Sequence, residues 1–342
     1  MSSKASDLNY SLKGHEFSTA DLELMMYLGF REDELDVLWA LEDKSATSQS
    51  GFIVDRYGVK TRVTSLWPEA KAMDGHVYGV PVTGNFNWEA IEWIGLMRAV
   101  LEAGDTFRVM ELGAGWGPAI VSSSVMARLR GIKDIRMTGV EGDPHHYAFM
   151  VQHLKDNGFD PAEHRLHQAA VAVREGVAQW PVTEDSSGDY GFRPIEASGD
   201  YMDRKFAATQ DVRLLPMRSL VLSEDKWDLI HIDVQGSEYD ICKDALPELN
   251  ARAKRVMIGT HSRKLEGDLI KLFMDAGWIL ENEKPCKFEF RTEYKSLEGM
   301  TMVDGTQTWR HPGAQLPLPV RRPVALYAMA RKLRAWTKKS PQ

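Results

Sequence analysis

Residues 107 to 118 read Phe107-Arg-Val-Met-Glu-Leu-Gly-Ala-Gly-Trp-Gly-Pro118. The segment up to Leu112 is typical of a short buried strand, and the alternating glycines after it predict a tight turn. Pro118 favours the first turn of a helix, where its missing N–H costs nothing. A strand, a glycine-rich turn and a helix in this order predict the first unit of a parallel α/β sheet.

Strands and helices continue to alternate along the rest of the chain. Further strands are predicted at residues 135–140, 165–169, 227–232 and 255–258. Helices are predicted at residues 89–103 and 119–130, and after Asp143-Pro144. Ser237-Glu-Tyr-Asp240 has the form of a capping box and predicts one more helix start. The alternation predicts an α/β fold with a doubly wound, mostly parallel sheet.

Three regions differ in their pattern. Residues 1–88 show no clear period and are expected to form an N-terminal extension or cap, with short helices after Thr19 and between Arg31 and Leu41. Residues 89–310 form the predicted core, and residues 311–342 a basic C-terminal tail. The extension and a polar insertion at residues 182–211 are the expected lids over a ligand, because long loops are usually functional.

Composition narrows the classes of partner and compartment. The chain has 342 residues and a net charge of −7, which argues against nucleic acid as a partner. It has neither the run of ~18 apolar residues that a membrane helix needs nor an apolar leader. Its two cysteines, Cys242 and Cys286, lack metal-ligand spacing. We therefore expect a cytoplasmic protein.

The tail is predicted to form an amphipathic surface helix. Val324, Tyr327, Leu333 and Trp336 would form its apolar face, beside a cluster of lysines and arginines. This pattern predicts peripheral contact with an anionic membrane or another anionic surface, and docking onto the acidic body of the protein is the alternative. The sequence does not indicate an oligomeric state.

Ligands of doubly wound sheets bind beyond the carboxyl ends of the strands. After the first strand lie Glu111, Gly113, Ala114, Gly115 and Trp116. The glycines let backbone N–H groups approach a ligand, whereas Glu111 would repel a phosphate and attract an ammonium group. Pro118 stands where a dinucleotide-binding loop has its third glycine.

The next two strand ends complete this predicted site. Glu141 and Gly142 follow the second strand, and Glu141 is placed to accept two hydrogen bonds from a ribose diol. Ala169 follows the third strand. A ligand with an amino group and a ribose but no phosphate is S-adenosylmethionine, which we predict as the cofactor.

Simpler interpretations of these two acids remain open. Glu111 could be an ordinary strand-end carboxylate, and Glu141 could only favour the start of the next helix. A dinucleotide-dependent oxidoreductase and a non-catalytic protein that binds S-adenosylmethionine are the alternative functions.

The predicted catalytic residues are Asp233, Glu238 and His261. Asp233 follows an apolar strand, where a carboxylate could accept a substrate proton or hold a divalent metal. His261 follows the next strand and titrates near neutral pH, so it could accept the proton instead or be a second metal ligand. Glu238 is either catalytic or a stabiliser of its helix.

Other polar residues receive a structural interpretation. His231 lies inside a strand and is predicted to be a satisfied buried histidine. His145, His146 and His153 lack the pattern of a metal site, and Arg263 is either a ligand for an anionic acceptor or a surface cation.

From about Tyr57 to Arg310 the chain resembles the FkbM family of methyltransferases. The segments that carry the resemblance are Val109–Pro118, Gly139–Pro144, Ile230–Glu238 and Ile258–Arg263. It implies a Rossmann-like class I core and S-adenosylmethionine-dependent O-methylation of a small-molecule or glycan acceptor, often a sugar hydroxyl of a polysaccharide or glycolipid, or a natural product.

The resemblance also assigns residues. It implies that Glu111, Gly113, Gly115 and Glu141 bind the cofactor and that Asp233 and Glu238 line the reaction centre. One position departs from the family pattern, because Gln235 stands where a Glu is common. That difference leaves the base and any metal open.

Overall fold

The structure is a computed structural model that describes residues 10–12, 15–17, 28–82, 84–183, 188–195, 204–294 and 296–314. The helix predicted after Thr19 and the basic tail from residue 315 onwards lie outside the described residues. No helix of the described part is long and apolar enough to span a lipid bilayer.

The elements are numbered in chain order. The strands are β1 (Tyr10–Leu12), β2 (His15–Phe17), β3 (Phe52–Val54), β4 (Lys60–Arg62), β5 (Thr106–Leu112), β6 (Asp134–Glu141), β7 (Arg165–Gln168), β8 (Ala170–Ala172), β9 (Gly176–Val182), β10 (Ala208–Pro216), β11 (Leu229–Ile232), β12 (Arg255–Thr260), β13 (Ile279–Lys284), β14 (Lys287–Phe288), β15 (Thr301–Val303) and β16 (Gly305–Arg310). The α-helices are α1 (Ala90–Glu102), α2 (Pro118–Leu129), α3 (Pro144–Asp156), α4 (Met217–Val221), α5 (Glu238–Asp244), α6 (Leu246–Arg252) and α7 (Arg263–Asp275). Short 3-10 helices lie at Glu32–Trp39, Val63–Ser65, Pro68–Met73 and Pro161–Glu163.

The central sheet has seven strands in the order β13-β16-β12-β11-β5-β6-β7. β5 pairs in parallel with β6 on one side and with β11 on the other, and β7 and β12 extend the parallel part outwards. The chain thus builds the sheet away from β5 in both directions, which confirms the predicted doubly wound, mostly parallel α/β fold. The switch point lies between β5 and β11.

Helices cover both faces of this sheet. Along β5, Phe107 and Val109 pack with α1, α2 and α3 on one face, whereas Met110 and Leu112 pack with α4 to α7 on the other. Side chains of a strand alternate between faces, so a strand buried on both sides is apolar throughout. Phe30, Leu35 and Tyr57 of the N-terminal region belong to the first of these clusters.

Three local expectations need correction. Ser237 precedes α5, but its side chain makes no capping hydrogen bond, and the Glu238 carboxylate instead accepts the N–H groups of Val234 and Gly236 in the turn before the helix. The short helix between Arg31 and Leu41 is a 3-10 helix. The polar insertion begins and ends in strands, since β9 and β10 pair antiparallel and carry it as a hairpin.

Candidate functional site

A cavity of about 840 Å³ opens at the carboxyl ends of the central strands. Of the predicted site residues, it is lined by Glu111, Gly113, Ala114, Gly115, Trp116, Glu141, Gly142, Ala169, Asp233 and His261. Glu238 lies behind His261 and does not line the cavity. The fold therefore gathers residues from five separate parts of the sequence at the switch point.

The glycine loop packs directly against the end of β11. Gly113 has a φ of +75°, and a Cβ there would lie 1.7 Å from the carbonyl oxygen of Asp233. The backbone N–H groups of Gly113 and Ala114 donate to the carbonyl of Val140 at the end of β6. Only glycine at position 113 permits this approach, so one residue brings the ends of three strands together.

Glu141 lies where β6 meets this loop. Its Oε2 accepts the Gly115 N–H at 2.7 Å and its Oε1 accepts the Asp143 N–H at 2.7 Å. Burial raises the pKa of Glu141 to about 8, despite these hydrogen bonds. A carboxylate oxygen can accept more than one hydrogen bond, so both oxygens retain capacity for ligand hydroxyls.

Glu111 is engaged with the protein. Its carboxylate accepts the N–H groups of Ala119 and Ile120 at 3.0 to 3.1 Å, which are among the unpaired donors of the first turn of α2. Its Oε1 also lies 3.2 Å from Nδ1 of His231. These contacts fit the simpler interpretation of Glu111 as a strand-end carboxylate that stabilises the helix.

Asp233, His261 and Glu238 form a row. Nε2 of His261 lies 3.1 Å from Oδ1 of Asp233, and its Nδ1 lies 3.0 Å from Oε1 of Glu238. Neither contact has hydrogen-bond geometry, so they are ion-pair contacts. Burial alone would lower the pKa of His261, but the two carboxylates raise it well above its ordinary value. The two carboxylates therefore favour the protonated form of the ring.

The carboxylates of this row have different surroundings. Glu238 is fully buried and accepts the N–H groups of Val234 and Gly236 at 3.0 to 3.1 Å. Asp233 keeps 38% of its side chain exposed to the cavity. Burial would raise the pKa of Asp233, but His261 holds that pKa below its ordinary value.

Gln235, which departs from the pattern of the FkbM family that the sequence resembles, contacts Asp233. Its Nε2 donates a hydrogen bond of 3.0 Å to Oδ1 of Asp233, and its φ is +59°. An ionised Glu could not donate and would repel Asp233. The amide thus supports the Asp233 carboxylate without competing for a proton.

The row also supplies candidate metal ligands. Single ligand atoms of Asp233, Glu238 and His261 lie within 4.8 Å of one another, so they could hold a divalent cation. Glu238 Oε1 already accepts two backbone N–H groups, which leaves Asp233 as the better ligand together with His261, whose ring would have to lose a proton to bind the ion.

Part of the insertion forms a strap across the cavity, which we define as residues 188–195. The Tyr190 ring stacks on His146 at a centroid distance of 4.0 Å, and its hydroxyl donates to the carbonyl of Ser65 at 2.5 Å. Arg193 donates to the carbonyl of Gln235 at 3.1 Å. The strap thus joins the glycine loop side of the cavity to the turn after β11.

The remaining predicted residues have structural contacts. His231 lines the cavity floor beside Glu111, and the Glu111 carboxylate outweighs burial and raises the pKa of His231. His153 is buried and its ring contacts the Trp116 carbonyl at 2.9 Å, so it supports the glycine loop. Arg263 is a half-exposed cation 3.5 Å from Glu266.

Sequence reasoning missed the side of the cavity that faces β12, β16 and β13. It is lined by Asn85, Asn87, Glu89, Glu92, Lys284 and Asp304. Burial raises the pKa of Glu92 to about 7 and also raises the pKa of Asp304. The available signal was the cluster of polar residues just before α1, which sequence reasoning treated as the end of an extension.

Comparison with known proteins identifies the family. No protein-family model matches the chain. A protein of Jannaschia sp. (strain CCS1) described as "Putative methyltransferase" is 34% identical over 247 residues, which make up 72% of this chain and 88% of that protein. The chain belongs to this methyltransferase family. The narrower FkbM assignment stays a prediction, because no family model supports it.

Similar solved structures include methyltransferases. Precorrin-6y C5,15-methyltransferase from Geobacter metallireducens GS-15 is 12% identical, with a TM-score of 0.36 over 66% of this chain and 89% of that one. Methyltransferase FkbM from Methylobacillus flagellatus KT is 12% identical, with a TM-score of 0.37 over 60% of this chain and 44% of that one.

Proposed function

We propose that the chain is an S-adenosylmethionine-dependent O-methyltransferase that acts on a hydroxyl of a sugar, polysaccharide or natural-product acceptor. One observation carries the proposal: Glu141, the glycine loop, Asp233 and His261 all line the same cavity. Family membership supports methyl transfer and argues against a dinucleotide-dependent oxidoreductase. The oxygen specificity and the acceptor class are our inference.

The loop side of the cavity fits the cofactor. Each Glu141 oxygen has capacity for a ribose hydroxyl, as described above. Trp180 also lines this side, and its indole N–H is a buried donor that has no partner among the described residues. Such a donor suits a ring nitrogen of adenine. When bound there, S-adenosylmethionine would supply an electrophilic methyl group on a sulfonium.

Asp233 is the proposed proton acceptor. An acceptor hydroxyl loses its proton as its oxygen bonds to the methyl carbon, and the Asp233 carboxylate is the exposed member of the row. His261 is a positioning residue that keeps Asp233 ionised, and Glu238 orients His261 from behind. Alignment and exclusion of water, to which the strap contributes, account for the remainder of the expected rate enhancement.

His261→Gln tests this division of roles. The variant removes the cation beside Asp233, so the pKa of Asp233 rises and the acid limb of the pH profile moves to higher pH. We expect turnover, measured as release of S-adenosylhomocysteine with a panel of methyl glycosides, to fall by about 100-fold. Affinity for S-adenosylhomocysteine should stay unchanged.

The control for this experiment is His311→Gln, which lies beyond the far end of β16. It should keep wild-type turnover and the wild-type pH profile. Loss of turnover in His261→Gln without movement of the acid limb would contradict the role of His261 in ionising Asp233.

Two further outcomes are distinguished by the same assay. A non-catalytic protein would bind S-adenosylhomocysteine but turn over no acceptor. A divalent cation at Asp233 and His261 would make turnover sensitive to a chelator and restorable by Mg²⁺ or Mn²⁺.

We also propose a cytoplasmic location. Cys242 and Cys286 are both buried free thiols. Unpaired thiols fit a reducing compartment.

A further inference from the structure

One wall of the cavity has buried polar atoms that lack hydrogen bonds. We define this polar wall as Asn85, Asn87 and Glu89, which precede α1 and line the cavity. Within the described residues, Asn85 Nδ2, Asn87 Nδ2 and Oδ1, and Glu89 Oε2 are buried without a partner. Each buried polar atom that lacks a hydrogen bond costs free energy. Four such atoms in alternate residues of one segment therefore indicate a common function.

The Asn85 amide has a fixed orientation. Its Oδ1 accepts the N–H groups of Asn87 and Trp88 at 2.9 and 3.3 Å and the indole N–H of Trp93 at 3.2 Å. All three partners are donors, so the amide cannot be flipped without losing every one of them. Its NH₂ group is therefore held as a fixed donor in the wall.

The Glu89 carboxylate is also fixed, by an ion pair with a lysine. Nζ of Lys284, a buried residue, donates to Oε1 of Glu89 at 2.8 Å. This ion pair fixes the carboxylate and leaves Oε2 as an acceptor.

The polar wall stands near the proposed reaction centre. Lys284 pairs with Thr306 in the sheet, and the neighbouring Gly305 pairs with Thr260, which precedes His261. The Trp88 ring lies 6.0 Å from the ring of His231. The wall therefore borders the part of the cavity where an acceptor must lie.

The mixture of donors and acceptors defines the ligand chemistry. An anionic group would be repelled by Glu89, and an apolar group would leave every atom of the wall unsatisfied. A hydroxyl both donates and accepts, so neighbouring hydroxyls can satisfy Asn85, Asn87 and Glu89 together. We propose that the polar wall is a specificity-determining subsite that holds further hydroxyls of a hydroxyl-rich acceptor beside the one that is methylated. This inference rests on the proposed function.

Asn85→Asp tests the subsite with little change of shape. The substitution keeps an oxygen for the three accepted hydrogen bonds and removes the NH₂ donor. Binding of methyl α-glucopyranoside, methyl α-galactopyranoside and methyl α-mannopyranoside would be measured by saturation-transfer NMR on the full chain saturated with S-adenosylhomocysteine. We expect at least one glycoside to bind, and its affinity to fall about tenfold or more in the variant.

Two more variants make the result specific. Asn87→Ala should weaken glycoside binding without lowering the melting temperature, because its side chain makes no hydrogen bond within the described protein. Asn250→Asp is the matched control: its Oδ1 accepts the indole N–H of Trp278 at 2.6 Å, outside the cavity. It should leave glycoside binding unchanged.

The outcomes separate the two proposals. Failure of the folded chain to bind S-adenosylhomocysteine would overturn the proposed function and the subsite with it. If S-adenosylhomocysteine binds normally, three results would each overturn the subsite but not the proposed function. They are that no glycoside binds, that permethylated glycosides bind equally well, or that Asn85→Asp and Asn87→Ala retain wild-type affinity.

Discussion

Glu141 shows how burial prepares a side chain for its ligand. The carboxyl group is 6% exposed, accepts two backbone N–H groups and has a pKa of about 8. At pH 7 the group is therefore mostly protonated in the free protein. Ribose hydroxyls that donate to it would favour the charged form and lower this pKa.

Cofactor binding should therefore release a proton. In calorimetric titrations with S-adenosylhomocysteine at pH 7, the measured enthalpy should vary with the ionisation enthalpy of the buffer and report release of up to about one proton per site. Glu141→Gln cannot ionise at this position and should abolish most of the variation. Equal proton release by both proteins would show that another group titrates.

Sequence reasoning at this scale found the positions of the polar residues but not their partners. Glu111 and Glu141 follow neighbouring strands and look equivalent in sequence. The structure distinguishes them because α2 begins beside Glu111 and its first N–H groups donate to the Glu111 carboxylate, whereas Glu141 accepts N–H groups from the loops after β5 and β6. His261 could be placed at the rim, but its charge state depends on Glu238, whose orientation is set by a turn that the sequence does not specify.

The strap lines one side of the cavity. Tyr190 joins it to the glycine loop side through the stacked ring of His146 and the hydrogen bond to Ser65. At its base, Arg204 donates to Asp189 and to the carbonyl of Gly191 at 2.8 Å. Arg193 holds the other end of the strap through the carbonyl of Gln235, so opening of the strap requires that these contacts break.

Tyr190→Phe should loosen the strap while it preserves ring stacking. Loss of one hydrogen bond should raise the association and dissociation rates of S-adenosylhomocysteine about fivefold each, with little change in affinity. Stopped-flow tryptophan fluorescence measures both rates. Tyr147→Phe, which loses only a long 3.5 Å contact to Leu166, is the control. Unchanged rates in Tyr190→Phe would exclude the strap as a gate.

The hydrophobic periodicity of the sequence predicted the parallel strands of the central sheet but not the antiparallel strands at its edge. β5, β11 and β12 are apolar and buried on both faces, so their pattern is plain. β16 is equally buried but reads Gly305-Thr-Gln-Thr-Trp-Arg310. Two of its polar side chains are paired inside the protein: Gln307 donates to the Glu266 carbonyl at 3.1 Å, and Arg310 donates to Glu281 at 3.0 Å. A strand of this kind has no sequence signal before its partners are known.

For the whole molecule, the cavity depends on parts of the chain that are far apart in sequence. Glu34 accepts hydrogen bonds from Arg98 of α1 at 2.7 Å and from Asn282 of β13 at 3.1 Å. These contacts tie the N-terminal region to α1, the helix that directly follows the polar wall. The doubly wound fold and the gathering of Glu111 and Glu141 at the strand ends could be predicted from sequence because they follow one repeated unit. The acceptor side could not, because it is assembled from a loop, an antiparallel strand and the insertion.

The most direct test of the account is calorimetric titration of the purified, folded chain with S-adenosylhomocysteine. The account predicts binding in roughly the micromolar range, weakened at least about tenfold in Glu141→Ala, with the exposed Glu163→Ala as an unaffected control. Absence of binding by the intact chain, or equal binding by Glu141→Ala, would contradict the assignment of this cavity to S-adenosylmethionine.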